Sequence, residues 1–259
     1  MTATVAAPQL TDDQLTELLA LIKDSDSVEL KLTVPDTNLS EAAVALGMDP
    51  LEGQVRQVFF FDTPELSLNA AGVVARARRV QGRGDDSVVK LRPVVPGQLP
   101  KKVRRSPSFG VEVDAMPGGF VCSGTMKQRL EKPIVRKKLL GGGRVSSLFT
   151  KEQRGFYSEH APEGLELDEL SVLGPIFVLK VRVAPKDLGR RLVGELWLYP
   201  DGSRIVELST KCLPQEAFDV AVQLRTFLHA RGMEPAEEQQ TKTKKALEFF
   251  SERLREDGA

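Results

Sequence analysis

The stretch SVELKLTV, residues Ser27–Val34, has the alternating pattern of a β-strand, and its two faces differ in character. The first face is apolar and consists of Val28, Leu30, Leu32 and Val34. The second face carries a carboxylate and an ammonium group, Glu29 and Lys31, two residues apart. An antiparallel strand often exposes one face to water. The charged face therefore has two explanations, a solvated surface or the lining of a polar interior, and the other predicted strands decide between them.

The same alternation recurs in five further predicted strands, each with Val, Leu, Ile or Ala on its other face. The polar faces of these strands consist of Arg76 and Arg78, Lys90 and Arg92, Glu112 and Asp114, Lys180 and Arg182, and Glu207 with Ser209 and Lys211. Like charges on neighbouring strands oppose folding by roughly 0.2–1 kcal/mol per pair, so a sheet that keeps them is better explained by a ligand of opposite charge. The pattern favours strands that close around a polar channel and pack their apolar faces outward against helices.

Such a channel predicts a polyphosphate ligand bound together with a divalent metal ion. It presents up to seven cations, namely Lys31, Arg76, Arg78, Lys90, Arg92, Lys180 and Arg182. Guanidinium forks bind phosphate oxygens in pairs, and lysine adds a point charge. The acids of the same faces are Glu29, Glu112, Asp114 and Glu207. Carboxylates suit Mg²⁺ or Mn²⁺, hard cations that take carboxylate and phosphate oxygens together.

The composition of the 259 residues is that of a globular protein with a sizeable core, with 41% hydrophobic and 28% charged residues. Lys plus Arg and Asp plus Glu number 36 each, so we expect neither nucleic acid nor a membrane as a partner. The start, MTATVAAPQL, lacks the features of a signal peptide. Cys122 and Cys212 stand apart, which argues against a zinc site or a disulfide framework. We expect a cytoplasmic protein.

We expect residues 1–10 to form a loose tail and residues 11–259 to form one domain. Thr11–Gln14 has the capping-box pattern that starts a helix. Residues 123–160, which contain SGTMKQRLEK and SLFTKEQRGFYSEH, are predicted to form a helical insertion that offers a surface to a protein partner. Residues 214–256 are predicted to form the C-terminal helices.

Several segments resemble the CYTH superfamily of triphosphate tunnel metalloenzymes, in the right order over most of the chain. They are VELKL, FFFDTPELSLNAAGVVARAR, VVKLRP, VEVD and PDGSRIVELS. The most specific part is Phe61-Asp62-Thr63 followed by the glycine-led GVVARAR. The superfamily includes thiamine triphosphatases, inorganic triphosphatases and class IV adenylate cyclases. The resemblance implies an α+β fold, an eight-stranded antiparallel closed β-tunnel with helices packed outside.

The resemblance also implies roles for the charged residues. The triphosphate-binding residues would be Lys31, Arg76, Arg78, Lys90 and Arg92, extended by Lys180 or Arg182. Residues that hold metal or orient the attacking water would be Glu29, Glu112, Asp114 and Glu207, with Glu29 and Lys31 in catalytic positions. In TKTKK, Lys242 or Lys244 would reach a terminal phosphate at one mouth of the tunnel. The implied reaction is metal-dependent hydrolysis of the terminal phosphate of inorganic triphosphate or of a nucleoside triphosphate.

Two positions depart from the family pattern. The first strand of the family carries Glu-x-Glu-x-Lys, and this chain has Ser27 at the first Glu position. A late strand normally carries Glu-x-Glu, and this chain has Ser209 at the second Glu position. Serine is a weak, neutral ligand, so each departure lowers the affinity for a divalent metal. Four other acids are candidates to compensate: Asp168, Glu169, Glu195 and Asp201.

Three hypotheses follow from these observations. The first is a metal-dependent triphosphatase. The second is a tunnel with weak catalysis that binds polyphosphate or a nucleotide as a sensor module. The third is a class IV-like adenylate cyclase that makes cyclic AMP from ATP.

Overall fold

The computed structural model describes residues 11–35, 39–131, 133–236, 239 and 241–257. Its strands are β1 (Ser27–Val34), β2 (Gln54–Asp62), β3 (Val73–Val80), β4 (Asp85–Leu91), β5 (Phe109–Met116), β6 (Gly119–Leu130), β7 (Ser171–Val183), β8 (Leu192–Leu198) and β9 (Arg204–Cys212). Within the described residues these nine strands form one closed barrel in the order β1-β5-β6-β4-β3-β2-β7-β8-β9, and β9 pairs back to β1.

The helices are α1 (Asp12–Lys23), α2 (Leu39–Leu46), α3 (Ser67–Ala70), α4 (Lys101–Arg104), α5 (Ile134–Leu140), α6 (Lys151–Ser158), α7 (Ala217–His229) and α8 (Lys242–Asp257). Short 3-10 helices cover Pro50–Glu52, Pro96–Gln98, Val145–Leu148, Leu167–Glu169 and Pro214–Glu216. The predicted capping box of α1 is confirmed, because Thr11 and Gln14 each accept a hydrogen bond from the other's backbone N–H. In the described part of the chain, no helix is both long and apolar enough to span a membrane.

The closed tunnel and the outer helices are confirmed, but the strand count and the strand directions differ from the prediction. The barrel has nine strands, and β1 runs parallel to β5, with Ser27 opposite Glu112 and Leu30 opposite Ala115. The two differences have one cause. A closed ring of strands can be antiparallel at every pair only if the number of strands is even. With nine strands, at least one neighbouring pair must run parallel.

The additional strand is β6, which lies partly in the predicted helical insertion. The prediction of a helix from residue 123 was wrong, because Gly119–Leu130 is a strand that pairs with β5 on one side and β4 on the other. Its C-terminal residues are good helix formers, but pairing on both sides satisfies the backbone groups of three strands and overrides this preference. The helical part of the insertion begins with α5 and continues with α6.

The apolar face of β1 packs outward. Val28, Leu30, Leu32 and Val34 are buried in one cluster with residues of α1 and α7, including Ile22 and Phe227. A second cluster joins the outer faces of β3 and β4 to α5 and α6, including Val89 and Phe156. Because these helices cover the apolar faces from outside, the charged faces of the same strands point into the barrel. Of the two explanations for SVELKLTV, the structure supports the polar interior.

Helix α8 covers one end of the barrel. Its residues Leu247 and Phe250 are buried against inner-face side chains of the strands, including Phe60 and Trp197. The helix is fixed at its start by the Tyr199 hydroxyl, which donates to the Lys242 carbonyl at 3.0 Å. Further along, the Ser251 hydroxyl donates to the Pro64 carbonyl at 2.6 Å. The C-terminal helix is therefore part of the barrel core.

This arrangement predicts that Leu247→Ala lowers the free energy of unfolding by about 2–5 kcal/mol, because the leucine is 2% exposed and its loss leaves a cavity. Urea denaturation followed by circular dichroism measures the change. The matched control is Val44→Ala on α2, where the side chain is 82% exposed and the change should stay within about 0.5 kcal/mol. Equal effects of the two substitutions would contradict the packing of α8 against the barrel.

Candidate functional site: a charged tunnel

The barrel encloses a cavity of about 730 Å³ that is lined mainly by charged side chains. The cations along it are Lys31, Arg56, Arg76, Arg78, Arg83, Lys90, Arg92, Lys127, Lys180, Arg182, Lys211, Lys242 and Lys244. The acids are Glu29, Glu112, Asp114, Glu195, Glu207 and Glu248. The structure thus brings together in one cavity every residue to which the family resemblance assigned a binding, metal or catalytic role. The individual roles stay predictions.

Strand register explains how residues so far apart in the chain meet. Glu29 of β1 lies opposite Asp114 on one side and Lys211 on the other. Two strands away from β1, Glu195 of β8 lies between Lys180 of β7 and Glu207 of β9. Directly opposite residues on neighbouring strands point to the same face. The strand registers therefore place the charged faces of neighbouring strands side by side around the inside of the barrel.

Three carboxylates form a cluster on the inner wall. One oxygen each from Glu29, Glu112 and Asp114 lies within 4.8 Å of the others. The serines at the two departing positions support this cluster. The Ser27 hydroxyl donates to Glu112 at 3.3 Å, and the Ser209 hydroxyl donates to Glu29 at 3.2 Å. The two serines therefore orient carboxylates in this chain.

Lysines neutralise the carboxylate cluster. The Lys31 ammonium lies 2.8 Å from Asp114 and 3.2 Å from Glu29, and Lys211 pairs with Glu112. Burial alone would raise the pKa of Asp114, but Lys31 and Lys90 outweigh it and hold that pKa well below its usual value. Burial alone would lower the pKa of Lys31, but Asp114 and Glu29 outweigh it and raise that pKa. Glu29, Lys31 and Asp114 are therefore each held in the charged form.

The carboxylate cluster fits a hard divalent cation. Three carboxylates supply oxygen ligands of the kind that Mg²⁺ and Mn²⁺ prefer, and Glu29, Glu112 and Asp114 would hold the ion. Glu207, the fourth predicted metal ligand, does not lie in this cluster. It accepts a hydrogen bond from the Lys242 ammonium at 2.8 Å, beside Glu195.

A second charged group lies where α8 meets the barrel. Lys242 pairs with both Glu195 and Glu207, and Lys180 donates to Glu195 at 2.7 Å. The Trp197 indole N–H also donates to Glu195, at 3.1 Å. Burial lowers the pKa of Lys242, but the two carboxylates outweigh it and the pKa is raised. The predicted contact of Lys242 with a phosphate would therefore compete with these two carboxylates.

Three cations of the cavity have no carboxylate within ion-pair distance among the described residues: Arg76, Lys127 and Arg182. The buried Nε of Arg76 has no hydrogen-bond partner. Burial and the nearby Arg78 lower the pKa of Arg76 to about 9 and that of Lys127 to about 8. Burial also lowers the pKa of Lys90 to about 8, against the attraction of Asp114. Burial is the main cause of these lowered pKa values, and repulsion from neighbouring cations adds to it.

Sequence reasoning missed several residues of the cavity. Arg56 lies on the inner face of β2, two residues before Val58, and the alternation of QVRQVFFF was a usable signal. Lys127 was hidden because β6 was interpreted as a helix. Of the four candidate compensating acids, Glu195 lines the cavity, whereas Asp168 and Asp201 bind Ser146 and Ser203 elsewhere. Glu169 binds the backbone of residue 166, at a 3-10 helix outside the barrel.

Comparison with known proteins bears on the fold. No protein-family model matches the chain, and no curated protein matches its sequence. The Hippeastrum protein HpAC1, described as an adenylyl cyclase candidate that reveals a dominant triphosphatase activity, has a TM-score of 0.61 at 18% identity, over 83% of this chain and 92% of its own. An adenylate cyclase candidate from Bacillus halodurans has a TM-score of 0.60 at 12% identity, over 85% of this chain and 97% of its own.

The chain has a CYTH-like fold. The prediction made from the sequence resemblance is therefore confirmed at the level of fold. The identities of 18% and 12% support the fold alone, so the chemistry of this CYTH-like tunnel has to be argued from its own side chains.

The electrostatics predict that Asp114→Asn lowers stability at pH 7 by about 3 kcal/mol, because Lys31, Lys90 and Arg92 lose their shared partner. The folded-state pKa of Asp114 is depressed, so its stabilisation is present above the ordinary aspartate pKa of about 3.9 and is lost as the pH falls through the lower folded value. The difference between the two proteins should therefore shrink below about pH 4.

Urea denaturation between pH 7 and pH 2 tests this prediction. The control is Glu252→Gln on the exposed face of α8, which should change stability by less than about 0.5 kcal/mol at every pH. A difference for Asp114→Asn that does not depend on pH would show that the carboxylate acts through packing and not through charge.

Proposed function

We propose that the tunnel binds the phosphate chain of a triphosphate compound and hydrolyses its terminal phosphate with the help of a divalent cation. The observation that carries this proposal is the set of inward cations without carboxylate partners, above all Arg76 with its buried Nε, in a cavity that also holds a carboxylate cluster. The triphosphatase activity described for HpAC1, which shares the fold, supports the same substrate class.

In this proposal, the cations bind the phosphate chain and the carboxylates support its hydrolysis. Arg76 offers a guanidinium fork that matches phosphate oxygens, and Arg78 would bind them beside its existing bonds to Asp86. Lys90 adds a point charge whose lowered pKa an anion would restore. The proposed role of the Glu29 carboxylate, which is held by the Ser209 hydroxyl and Lys31, is to orient a water molecule for attack on phosphorus. A Mg²⁺ or Mn²⁺ ion on the carboxylate cluster would supply charge neutralisation at the phosphate oxygens and a more acidic bound water.

Glu29→Gln tests the proposed hydrolysis. With inorganic triphosphate and Mg²⁺ or Mn²⁺, we expect the wild-type chain to release phosphate and the variant to do so at least about 100-fold more slowly, because the carboxylate proposed both to hold the metal and to orient the attacking water loses its charge. Triphosphate affinity, measured by calorimetry, should stay equal or rise, because one negative charge leaves the tunnel. Removal of the metal with a chelator should lower the wild-type rate.

The matched control is Glu248→Gln, since this acid also borders the cavity but lies on the exposed face of α8 beside Lys244. Its rate should remain near that of the wild type. An unchanged rate in Glu29→Gln would refute the role of Glu29. Formation of cyclic AMP from ATP in the same assay would support the cyclase hypothesis instead.

A specific observation favours a second candidate, binding without turnover. Ser27 and Ser209 stand where two carboxylates of the family pattern would be, and Lys31 and Lys211 already pair with the remaining cluster. A weakened metal site combined with an intact cationic wall would make the tunnel a polyphosphate- or nucleotide-binding module. This candidate predicts tight triphosphate binding with no phosphate release above background.

Replacing Ser27 and Ser209 by glutamate distinguishes hydrolysis from binding without turnover. We expect Ser27→Glu with Ser209→Glu to raise the Mn²⁺ affinity by about tenfold or more, because affinity for hard cations rises with the number of charged oxygen ligands. Calorimetric titration of Mn²⁺ without triphosphate measures this. The control, Ser40→Glu with Ser158→Glu, adds the same charge at two exposed helix positions and should leave Mn²⁺ affinity unchanged. Equal Mn²⁺ affinity in all three proteins would contradict a metal role for the cluster.

A further inference from the structure

One part of the outer barrel wall is apolar and exposed. Helices cover the outer faces of β1, β3 and β4. On β2, β7 and β8, three outward side chains stay exposed: Val55 at 44%, Phe177 at 46% and Leu198 at 42%. A sheet face in contact with water usually carries polar residues at such positions. A group of apolar side chains there marks a surface that another molecule covers.

Strand register joins these side chains into one surface, which we call the outer sheet patch. It consists of two adjacent rows, with Val55, Leu179, Leu196 and Val206 in one row and Phe177 and Leu198 in the next. The residues that alternate with them, such as Arg56, Val178 and Trp197, line the cavity, so the patch points outward. Neighbouring strands lie about 4.8 Å apart, which makes the two rows continuous.

The segment before β2 borders the patch. Met48 is buried in the core and packs over β8, where a Cβ atom on Gly194 would lie 2.8 Å from its sulfur. Gly53 lies equally close to the sheet, since a Cβ atom there would lie 2.4 Å from Leu179. Between these two contacts, Leu51 is 93% exposed. The border therefore adds a further apolar side chain to the patch.

The charges around the patch differ in sign at its two edges. Asp49 and Glu52, both exposed, belong to the short 3-10 helix and its cap at one edge. Arg79 and Arg204 end the row farthest from that helix, on β3 and β9. Asp201, which is nearby, is bonded within the β8–β9 turn. A second copy turned by 180° about an axis across the strands would set the acidic edge of each copy against the arginine edge of the other.

Closure of the barrel decides how two copies can meet. Within the described residues the nine strands form a ring, so this sheet has no free edge for strand pairing between copies. Association therefore brings two wall faces together, as in packed β-sheets that lie about 10 Å apart. Such packing needs outward apolar side chains on adjacent strands, which the outer sheet patch supplies.

We propose that the outer sheet patch is the contact surface of a homodimer, in which two barrels pack this part of their walls face to face about a two-fold axis. The occupant is a second copy of this chain because one surface carries both the apolar rows and the two oppositely charged edges that such a contact needs. The inference goes beyond the proposed function and does not depend on phosphate chemistry, since it concerns the outside of the wall.

Sedimentation equilibrium of the full chain at increasing concentration tests the dimer. We expect the wild type to pass from monomer to dimer with a micromolar dissociation constant, as for small interfaces. Phe177→Gln with Leu198→Gln should raise the dissociation constant by about tenfold or more, because these residues form the apolar centre of the contact. Both side chains are about half exposed in the monomer, so circular dichroism should show an unchanged fold.

Charge reversal provides a second test that does not depend on the apolar centre. Glu52→Lys and Arg79→Glu should each raise the dissociation constant by about threefold or more, because like charges then meet across the two-fold axis. The double variant should recover dimerisation, because opposite charges meet again. A substitution that only disturbs the fold would give no such recovery, so a double variant weaker than both single variants would overturn the arrangement.

The control variant is Leu19→Gln with Val222→Gln, which removes two exposed apolar side chains from α1 and α7. It should dimerise as the wild type does. Loss of the dimer in this control would overturn the inference and move the contact to the helices. An unchanged dimer in the Phe177 and Leu198 variant, or assembly beyond two copies, would also overturn it. A wild type that stays monomeric up to about 200 µM would overturn it too, even if the patch then proves to bind a different protein.

Discussion

The pairing of β1 with β5 on one side and β9 on the other is the constraint on which the remaining structure depends. It closes the barrel and sets Glu29 between Asp114 and Lys211. Closure turns the charged faces of the strands toward one another within the protein, where charges interact more strongly than in bulk water. The fold then requires that carboxylates and ammonium groups be matched at short range, as Lys31 is with Asp114 at 2.8 Å.

The pairing of cations with carboxylates is uneven along the tunnel. The region with unpaired cations is the part that points to a function. The carboxylate cluster and the pair Glu195 and Glu207 are fully engaged by lysines. The wall around Arg76 has more cations than carboxylates to pair with them, although burying an unpaired charge is unfavourable. A protein tolerates such a region when outer apolar packing supplies the stability, as the helices do here. The surplus positive charge is what an anionic ligand would neutralise.

Much of this arrangement could be predicted from the sequence, because a period of two fixes which residues share a strand face. That rule placed Arg76 with Arg78 and Glu112 with Asp114 on the correct inner faces. It failed for β6, where good helix formers occupy a strand that is held by neighbours distant in sequence. It also could not tell which cations lack partners, since the pairing of Lys242 with Glu207 depends on where α8 docks.

Barrel closure also has a consequence for how the chain folds during synthesis. The sulfhydryl of Cys212 lies against the carbonyl of Val28, 184 residues earlier. The ring therefore cannot be completed until most of the chain has left the ribosome. Chains rich in such distant pairings fold slowly, because the entropy of a long loop is lost before the stabilising contacts between its ends have formed. Until β9 arrives, the edge of β1 that pairs with it stays open, and the inner charged face is exposed to water on that side.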